Sequence, residues 1–164
     1  MRIYLPGTSA TLRTLFDSAQ VDDPKTGFAV TPGLREWYRD DDIEELEYAA
    51  MTEAARASLR LIEADPEAAR RRVVIAVDAA EGDVTVRDDL DRGVVRLTRP
   101  IALAFVASIH VDDETAAPVV EAAAAAITAA DLGDPQAQER VDDAEGNELS
   151  WYANQELPEL LQQF

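Results

Sequence analysis

Residues 41–77, DDIEELEYAAMTEAARASLRLIEADPEAARRRVVIAV, contain the two elements that decide the fold. Apolar residues recur at three- and four-residue steps in the first part, which predicts a helix from about residue 41 to about residue 63. The residues of this apolar stripe are Ile43, Leu46, Ala50, Ala54, Ala57 and Leu61. Its alanines permit close approach to a sheet, and the continuous apolar run 73–77 predicts a central strand with both faces covered. A long helix packed on a sheet indicates an α/β fold.

Shorter signals on both sides of this stretch predict the rest of the domain. Alternating or continuous apolar residues predict further strands at 2–5, 28–30, 84–86, 95–97 and 104–111. Capping residues predict helices at about 9–20 and about 113–130, with a short helix after Pro32. We therefore expect one α/β domain over residues 1–164, with a mixed sheet of about five strands, three principal helices and a docked C-terminal segment.

The last 31 residues divide into a polar part and an apolar part. Residues 134–148 are polar and acidic, and we expect them to form a loop, with one helical turn as the alternative. Residues 149–164 are too apolar for a free tail, so this segment should dock on the domain or on a second subunit. Trp151, Tyr152 and Phe164 are its candidate interface residues, because large aromatic side chains are enriched at binding hot spots. Packing inside the chain's own core is the alternative for all three.

The composition disfavours several classes of function. Asp and Glu number 33 against 15 Lys and Arg, which gives a net charge of -18. Such a negative field disfavours direct binding to nucleic acid and to anionic membranes. It leaves two interpretations, a solvated surface that keeps the protein soluble or a surface for a basic partner.

Cysteine content and hydropathy predict the compartment. The chain has no cysteine, which excludes disulfides, thiolate metal sites and thiol nucleophiles. The first residues, MRIYLPG, lack the apolar region of a signal peptide, and no apolar stretch is long enough to cross a membrane. We expect a cytoplasmic protein.

The strongest candidate for catalysis is the junction where a predicted buried strand ends, which contains Ser108, His110, Asp112 and Asp113. Ligands of open α/β sheets gather at such strand ends, and the pKa of an unperturbed histidine is close to neutrality. Alternation places Ser108 and His110 on one face of the strand, although a spacing of two residues does not require contact between them. A structural histidine followed by an aspartate helix cap is the alternative.

The turn of Gly7, Thr8 and Ser9 is a candidate ligand-binding element. It links a predicted strand to a predicted helix, and the amides at a helix start attract anions. The turn lacks the glycine spacing and the lysine of a P-loop, so a plain capped turn is the alternative.

Two acidic clusters offer oxygen ligands for a metal ion. The first contains Asp40, Asp41, Asp42, Glu44 and Glu45, and the second contains Asp88, Asp89 and Asp91. Neither has the alternating aspartates and the glycine of a calcium loop. Acidic residues at a helix start and in a hairpin turn are also expected for structural reasons. We therefore predict no metal and no cofactor.

Six segments of the chain carry a family resemblance. They are MRIYLP (1–6), FAVTPGLREWY (28–38), EELEYAAMTEAARASLRL (44–61), RRVVIAVD (71–78), SIHVDD (108–113) and WYANQELPELL (151–161). Together they resemble a family of conserved hypothetical proteins from actinobacteria, along nearly the whole chain. That family has no assigned activity, cofactor or catalytic residue. The resemblance implies a one-domain cytoplasmic protein and transfers no site residue.

Three functions follow as hypotheses. The leading hypothesis is a non-enzymatic cytoplasmic protein-interaction domain, with a homodimer as one form. The second is a small-molecule or nucleotide-binding enzyme in which the turn of Gly7, Thr8 and Ser9 converges with His110 and Asp112 on one pocket. The third is an acidic mimic of nucleic acid, which needs carboxylates arrayed along one elongated face.

Overall fold

The computed structural model describes residues 1–23, 25–39 and 42–164, and these form nine strands and six helices. The strands are β1 (Arg2–Gly7), β2 (Gln20–Val21), β3 (Thr26–Ala29), β4 (Val73–Asp78), β5 (Val84–Val86), β6 (Val94–Leu97), β7 (Ile101–Ala102), β8 (Val106–Val111) and β9 (Ser150–Tyr152). The helices are α1 (Ser9–Ser18), α2 (Pro32–Tyr38), α3 (Ile43–Ala64), α4 (Ala117–Asp131), α5 (Pro135–Glu145) and α6 (Leu157–Leu161). No helix within the described residues combines the length and the apolar character needed to span a bilayer.

Seven strands form the main sheet in the order β5-β6-β3-β1-β4-β8-β9, and β2 pairs with β7 separately. The α/β class is confirmed, but the prediction of a mixed sheet of about five strands is wrong. Every strand pairing among the described residues is antiparallel. The unpredicted strands β2, β7 and β9 have only two or three residues each, which is too short for a readable alternation.

Alternation along the central strands divides the core between the two faces of the sheet. Ile3, Ile75 and Ile109 point to one face, where they pack with α1, α6 and the small sheet. Tyr4 and Val74 point to the other, where they pack with α3. We call these the α1 face and the α3 face. Helix α4 packs on the C-terminal half of α3, and α5 packs on α4, through a third apolar cluster.

The helix α3 matches the predicted long helix, with a shift of its buried stripe. Asp42 caps its start by accepting a hydrogen bond from the Glu44 amide at 3.0 Å. Ile43, predicted to be buried, is exposed, while Leu59 and Ile62 are fully buried. The buried stripe is displaced around the helix in its C-terminal half, because this half packs against α4 as well as against the sheet.

The prediction that residues 134–148 form an acidic loop is wrong, because most of this segment is helix α5. Asp134 caps the helix and Pro135 occupies its first turn. Ala137, Val141 and Ala144 are buried against α4, at spacings of four and three residues. These three small apolar residues are the buried contacts of α5. Because their neighbours are polar, the helical periodicity of the segment is weak in the sequence.

The apolar C-terminal segment packs on the chain's own core. Leu157, Leu160 and Leu161 of α6 are buried on the α1 face, in the same cluster as Leu12 and Leu15 of α1. The segment begins as β9, which pairs with β8 and forms one edge of the main sheet.

Candidate functional site

Ser108 and His110 form a hydrogen-bonded pair on β8. Both side chains lie on the α3 face, because their neighbours across the ladder are Ala76 and Val74. The Ser108 Oγ and the His110 Nε2 are 2.8 Å apart, a contact that the two-residue spacing alone does not require. Burial lowers the pKa of His110, and the positive charge of Arg2 lowers it further. His110 is therefore neutral at neutral pH.

Asp112, which directly follows the same strand, is hydrogen-bonded to Arg72 and not to the histidine. Its carboxylate accepts hydrogen bonds from the Arg72 amide at 2.7 Å, from Nε at 2.8 Å and from Nη2 at 2.7 Å. The Asp112 side chain is 0% exposed and that of Arg72 is 3% exposed. The Arg72 Nη2 also donates to the Asn147 carbonyl oxygen at 2.9 Å. Asp112 thus anchors Arg72 and is not hydrogen-bonded to His110, so no Ser-His-Asp triad forms.

The hydroxyl of Ser108 is poorly placed for nucleophilic catalysis. The residue is only 6% exposed. A nucleophile and its base must together reach a reacting atom about 3 Å away, which requires open space in front of the hydroxyl. The geometry favours a structural role, in which His110 satisfies a buried serine.

The polar groups of the turn of Gly7, Thr8 and Ser9 are engaged in structural hydrogen bonds. The Gly7 carbonyl oxygen accepts a hydrogen bond from the Ser58 hydroxyl at 2.7 Å. The Thr8 hydroxyl caps α1, and the Ser9 hydroxyl accepts from the Ala69 amide at 3.0 Å. Helix α1 packs on the α1 face, and His110 lies on the α3 face. The sheet therefore separates α1 from His110, and no hydrogen bond among the described residues joins the turn to the histidine.

The acidic clusters serve as caps and turns where the structure describes them. Asp42 caps α3, while Asp40 and Asp41 lie outside the described residues. Asp88 accepts hydrogen bonds from the Thr31 hydroxyl at 2.6 Å and from the Gly33 amide at 3.0 Å. Within residues 1–23, 25–39 and 42–164, no group of three or more His, Asp or Glu is arranged to hold a metal ion.

The structure separates the three candidate interface residues. Trp151 is the ladder neighbour of His110, so it lies on the α3 face, where it is 61% exposed. Tyr152 lies on the α1 face and packs against the core there. Phe164 also packs on that core, and the Arg71 guanidinium stacks on its ring at 4.5 Å. Of the three, Trp151 has the most open side chain.

Two neighbouring cavities open beside α3, and Tyr48 and Thr52 line both. The first, of about 440 Å³, is lined by Tyr48, Met51, Thr52, Ala55, Arg72, Glu145, Asn147, Glu148 and Leu149. The second, of about 270 Å³, is lined by Tyr38, Glu45, Leu46, Tyr48, Ala49, Thr52 and Glu53. We call the two cavities and the tyrosine between them the Tyr48 groove. Leu149 packs on the same core cluster as Val74, so the groove lies on the α3 face, as Trp151 does.

Carboxylates give the Tyr48 groove its electrostatic character. Burial raises the pKa of Glu145, and the nearby charges of Asp142 and Glu53 raise it further. Each cavity has two glutamates in its lining. Sequence reasoning missed this surface, because Tyr48 lies off the apolar stripe of α3 and Glu145 lies in a segment predicted to be a loop. The sequence feature that could have indicated this surface is Tyr48, an aromatic residue on the polar side of the long helix α3.

The lowered pKa of His110 predicts a loss of stability in mild acid. The unfolded chain takes up a proton near pH 6.5, whereas the folded chain does so only at lower pH. The free energy of unfolding should therefore fall as the pH drops below about 6.5. Urea unfolding of the wild type and of His110→Gln at several values between about pH 7.5 and about pH 5.5 checks this. We expect the stability advantage of the wild type to shrink over that range, and a constant difference would contradict the assignment.

The comparisons with known proteins identify a family but no function. A family of unknown function, DUF6912, matches residues 1–161, so the chain belongs to that family. No curated protein and no solved structure matches the chain significantly. Membership agrees with the family resemblance in the sequence, while the actinobacterial origin stays a prediction.

Proposed function

We propose that this member of the DUF6912 family is a non-enzymatic protein-interaction domain of the cytoplasm, and that its partner docks on the α3 face at Trp151. The observation that carries the proposal is the 61% exposure of Trp151 on a strand whose other side is tied into the core. Tryptophan is among the residue types enriched at binding hot spots, because its large rigid ring contributes much contact area.

The backbone beneath Trp151 is held in place, which favours binding. Strand β9 pairs with β8 through three consecutive residues, with His110 opposite Trp151. Tyr152 packs on the core of the α1 face and fixes the strand from behind. A side chain on a rigid strand loses less conformational freedom on binding than one on a loop, so more of its contact energy becomes affinity.

The arrangement of the candidate catalytic groups supports a non-enzymatic function. Ser108 is buried, Asp112 is paired with Arg72, and α1 lies across the sheet from His110. An enzyme built from these groups needs them around one concave space. None of the residues Ser108, His110 and Asp112 lines either cavity of the Tyr48 groove.

Photo-crosslinking in the native cells tests the proposal. The crosslinking residue p-benzoylphenylalanine replaces Trp151 in one variant and Phe16 in the matched control, because Phe16 is also an exposed aromatic residue but lies on α1. We expect one discrete crosslinked product at position 151, identified by mass spectrometry, and none at position 16. A product that contains a second copy of this chain would make the interaction a homodimer. Absence of a product at 151, or identical products at both positions, would contradict the proposal.

A further inference from the structure

The Tyr48 groove has two similar halves on either side of one aromatic ring. Tyr48 is 63% exposed and lines both cavities. The larger cavity has apolar walls from Met51 and Leu149, and the smaller one has Leu46 and a second tyrosine, Tyr38. Each half therefore combines an aromatic ring with an aliphatic wall.

Most charges in the lining of the groove are negative, although the positive charges of Arg56 and Arg72 partly offset the negative field at Glu145. Glu145 and Glu148 line the larger cavity, and Glu45 and Glu53 line the smaller one. Among the residues that the structure describes, no hydrogen bond or ion pair engages these four carboxylates. Arg72 is the cation in the lining, and Asp112 and the Asn147 carbonyl already occupy its guanidinium.

This combination suits a particular kind of side chain. Arginine and lysine have an apolar stem that packs along aliphatic walls and a cationic end that pairs with carboxylates. The same cations are attracted to the face of a tyrosine ring, most strongly where water is excluded. A free phosphate or a carboxylate ligand would instead be repelled by the glutamates.

We propose that the Tyr48 groove binds a basic segment of a partner protein, with one arginine or lysine side chain in each cavity. The inference deepens the proposed function and rests on it in taking the partner to be a protein. Two cavities that share one ring fit two basic side chains of a single segment. The net charge of -18 adds a long-range field that speeds the approach of such a segment.

The first test measures binding of a fluorescein-labelled peptide in which three arginines alternate with glycines, by fluorescence anisotropy at about 150 mM salt. The pocket variant is Glu145→Gln/Glu148→Gln. The charge-matched control is Glu114→Gln/Glu121→Gln, because both residues are exposed and line neither cavity. We expect the pocket variant to bind about tenfold more weakly than the wild type and the control to change by less than about twofold. Equal losses in the two variants would mean non-specific charge attraction and overturn the inference.

The second test concerns the ring of Tyr48. Tyr48→Phe keeps the aromatic face, and Tyr48→Ala removes it at an exposed position where the fold should tolerate the change. We expect Tyr48→Phe to bind the peptide like the wild type and Tyr48→Ala to bind it about fivefold more weakly. Unchanged binding by Tyr48→Ala would overturn the role of the ring and with it the two-cavity inference.

Rejection of the basic segment can be distinguished from rejection of the protein-interaction domain. The photo-crosslink at position 151 reports any protein partner, whatever its charge. A discrete crosslink together with equal peptide binding by the pocket and control variants would retain the interaction domain and reject the basic segment. A peptide with glutamine in place of arginine serves as a further control, and its binding with equal affinity would also reject the basic segment.

Discussion

Replacing Asp112 with alanine is expected to lower the free energy of unfolding by roughly 3–5 kcal/mol. The change leaves the guanidinium of Arg72 in a site where only 3% of its side chain is exposed, with most of its charge uncompensated. It also removes the acceptor of the Arg72 backbone amide. Because domains of this size are stable by only about 5–15 kcal/mol, this loss is a large part of the total.

A double-mutant cycle separates the interaction energy between Arg72 and Asp112 from the effect of removing either side chain alone. Urea unfolding of Asp112→Ala, Arg72→Met and the double variant gives the three free energies of unfolding. We expect the double variant to be more stable than Asp112→Ala, because it has no unpaired buried charge. Asp89→Ala, which removes the partner of Arg87 at the surface, should leave the unfolding midpoint nearly unchanged. A small effect of Asp112→Ala would contradict the burial of this ion pair.

Replacing Leu160 with alanine should cost about 2–5 kcal/mol of stability, whereas Trp151→Ala should change stability by no more than about 0.5 kcal/mol. Leu160 is buried among the leucines of α1 and α6, so truncation leaves a cavity in the main core. Trp151 is mostly exposed, so its truncation removes few internal contacts. Thermal unfolding and urea unfolding of both variants measure the two effects.

The contrast between the two variants tests whether Leu160 stabilises the core while Trp151 is available to bind a partner. Light scattering on the same samples reports association along with stability. Destabilisation by Leu160→Ala together with a normally folded Trp151→Ala would assign the leucine to the core and leave the tryptophan free for a partner. A strongly destabilised Trp151→Ala would mean that the ring packs within the molecule, contrary to its 61% exposure.

Several contacts that build the site could not be predicted, because their partners are far apart in the chain. Asp88 looks like an ordinary turn residue, yet its carboxylate accepts hydrogen bonds from Thr31 and Gly33 and ties the β5-β6 hairpin to the start of α2. The pairing of Arg72 with Asp112 joins residues 40 positions apart. Local patterns carry no information about such partners.

The sequence by itself determined the α/β class, the long helix α3, the central strand β4 and the positions of most caps. These features depend on periodicity and on hydrogen bonds between residues close in the chain, so a local pattern is enough to predict them. Only the tertiary structure decided that Trp151 faces outward while Tyr152 faces the core, that Ser108 contacts His110, and that Tyr48 stands between two acidic cavities. The reason is that strand register and helix packing arise from contacts between distant segments, which depend on the whole core and not on the local sequence.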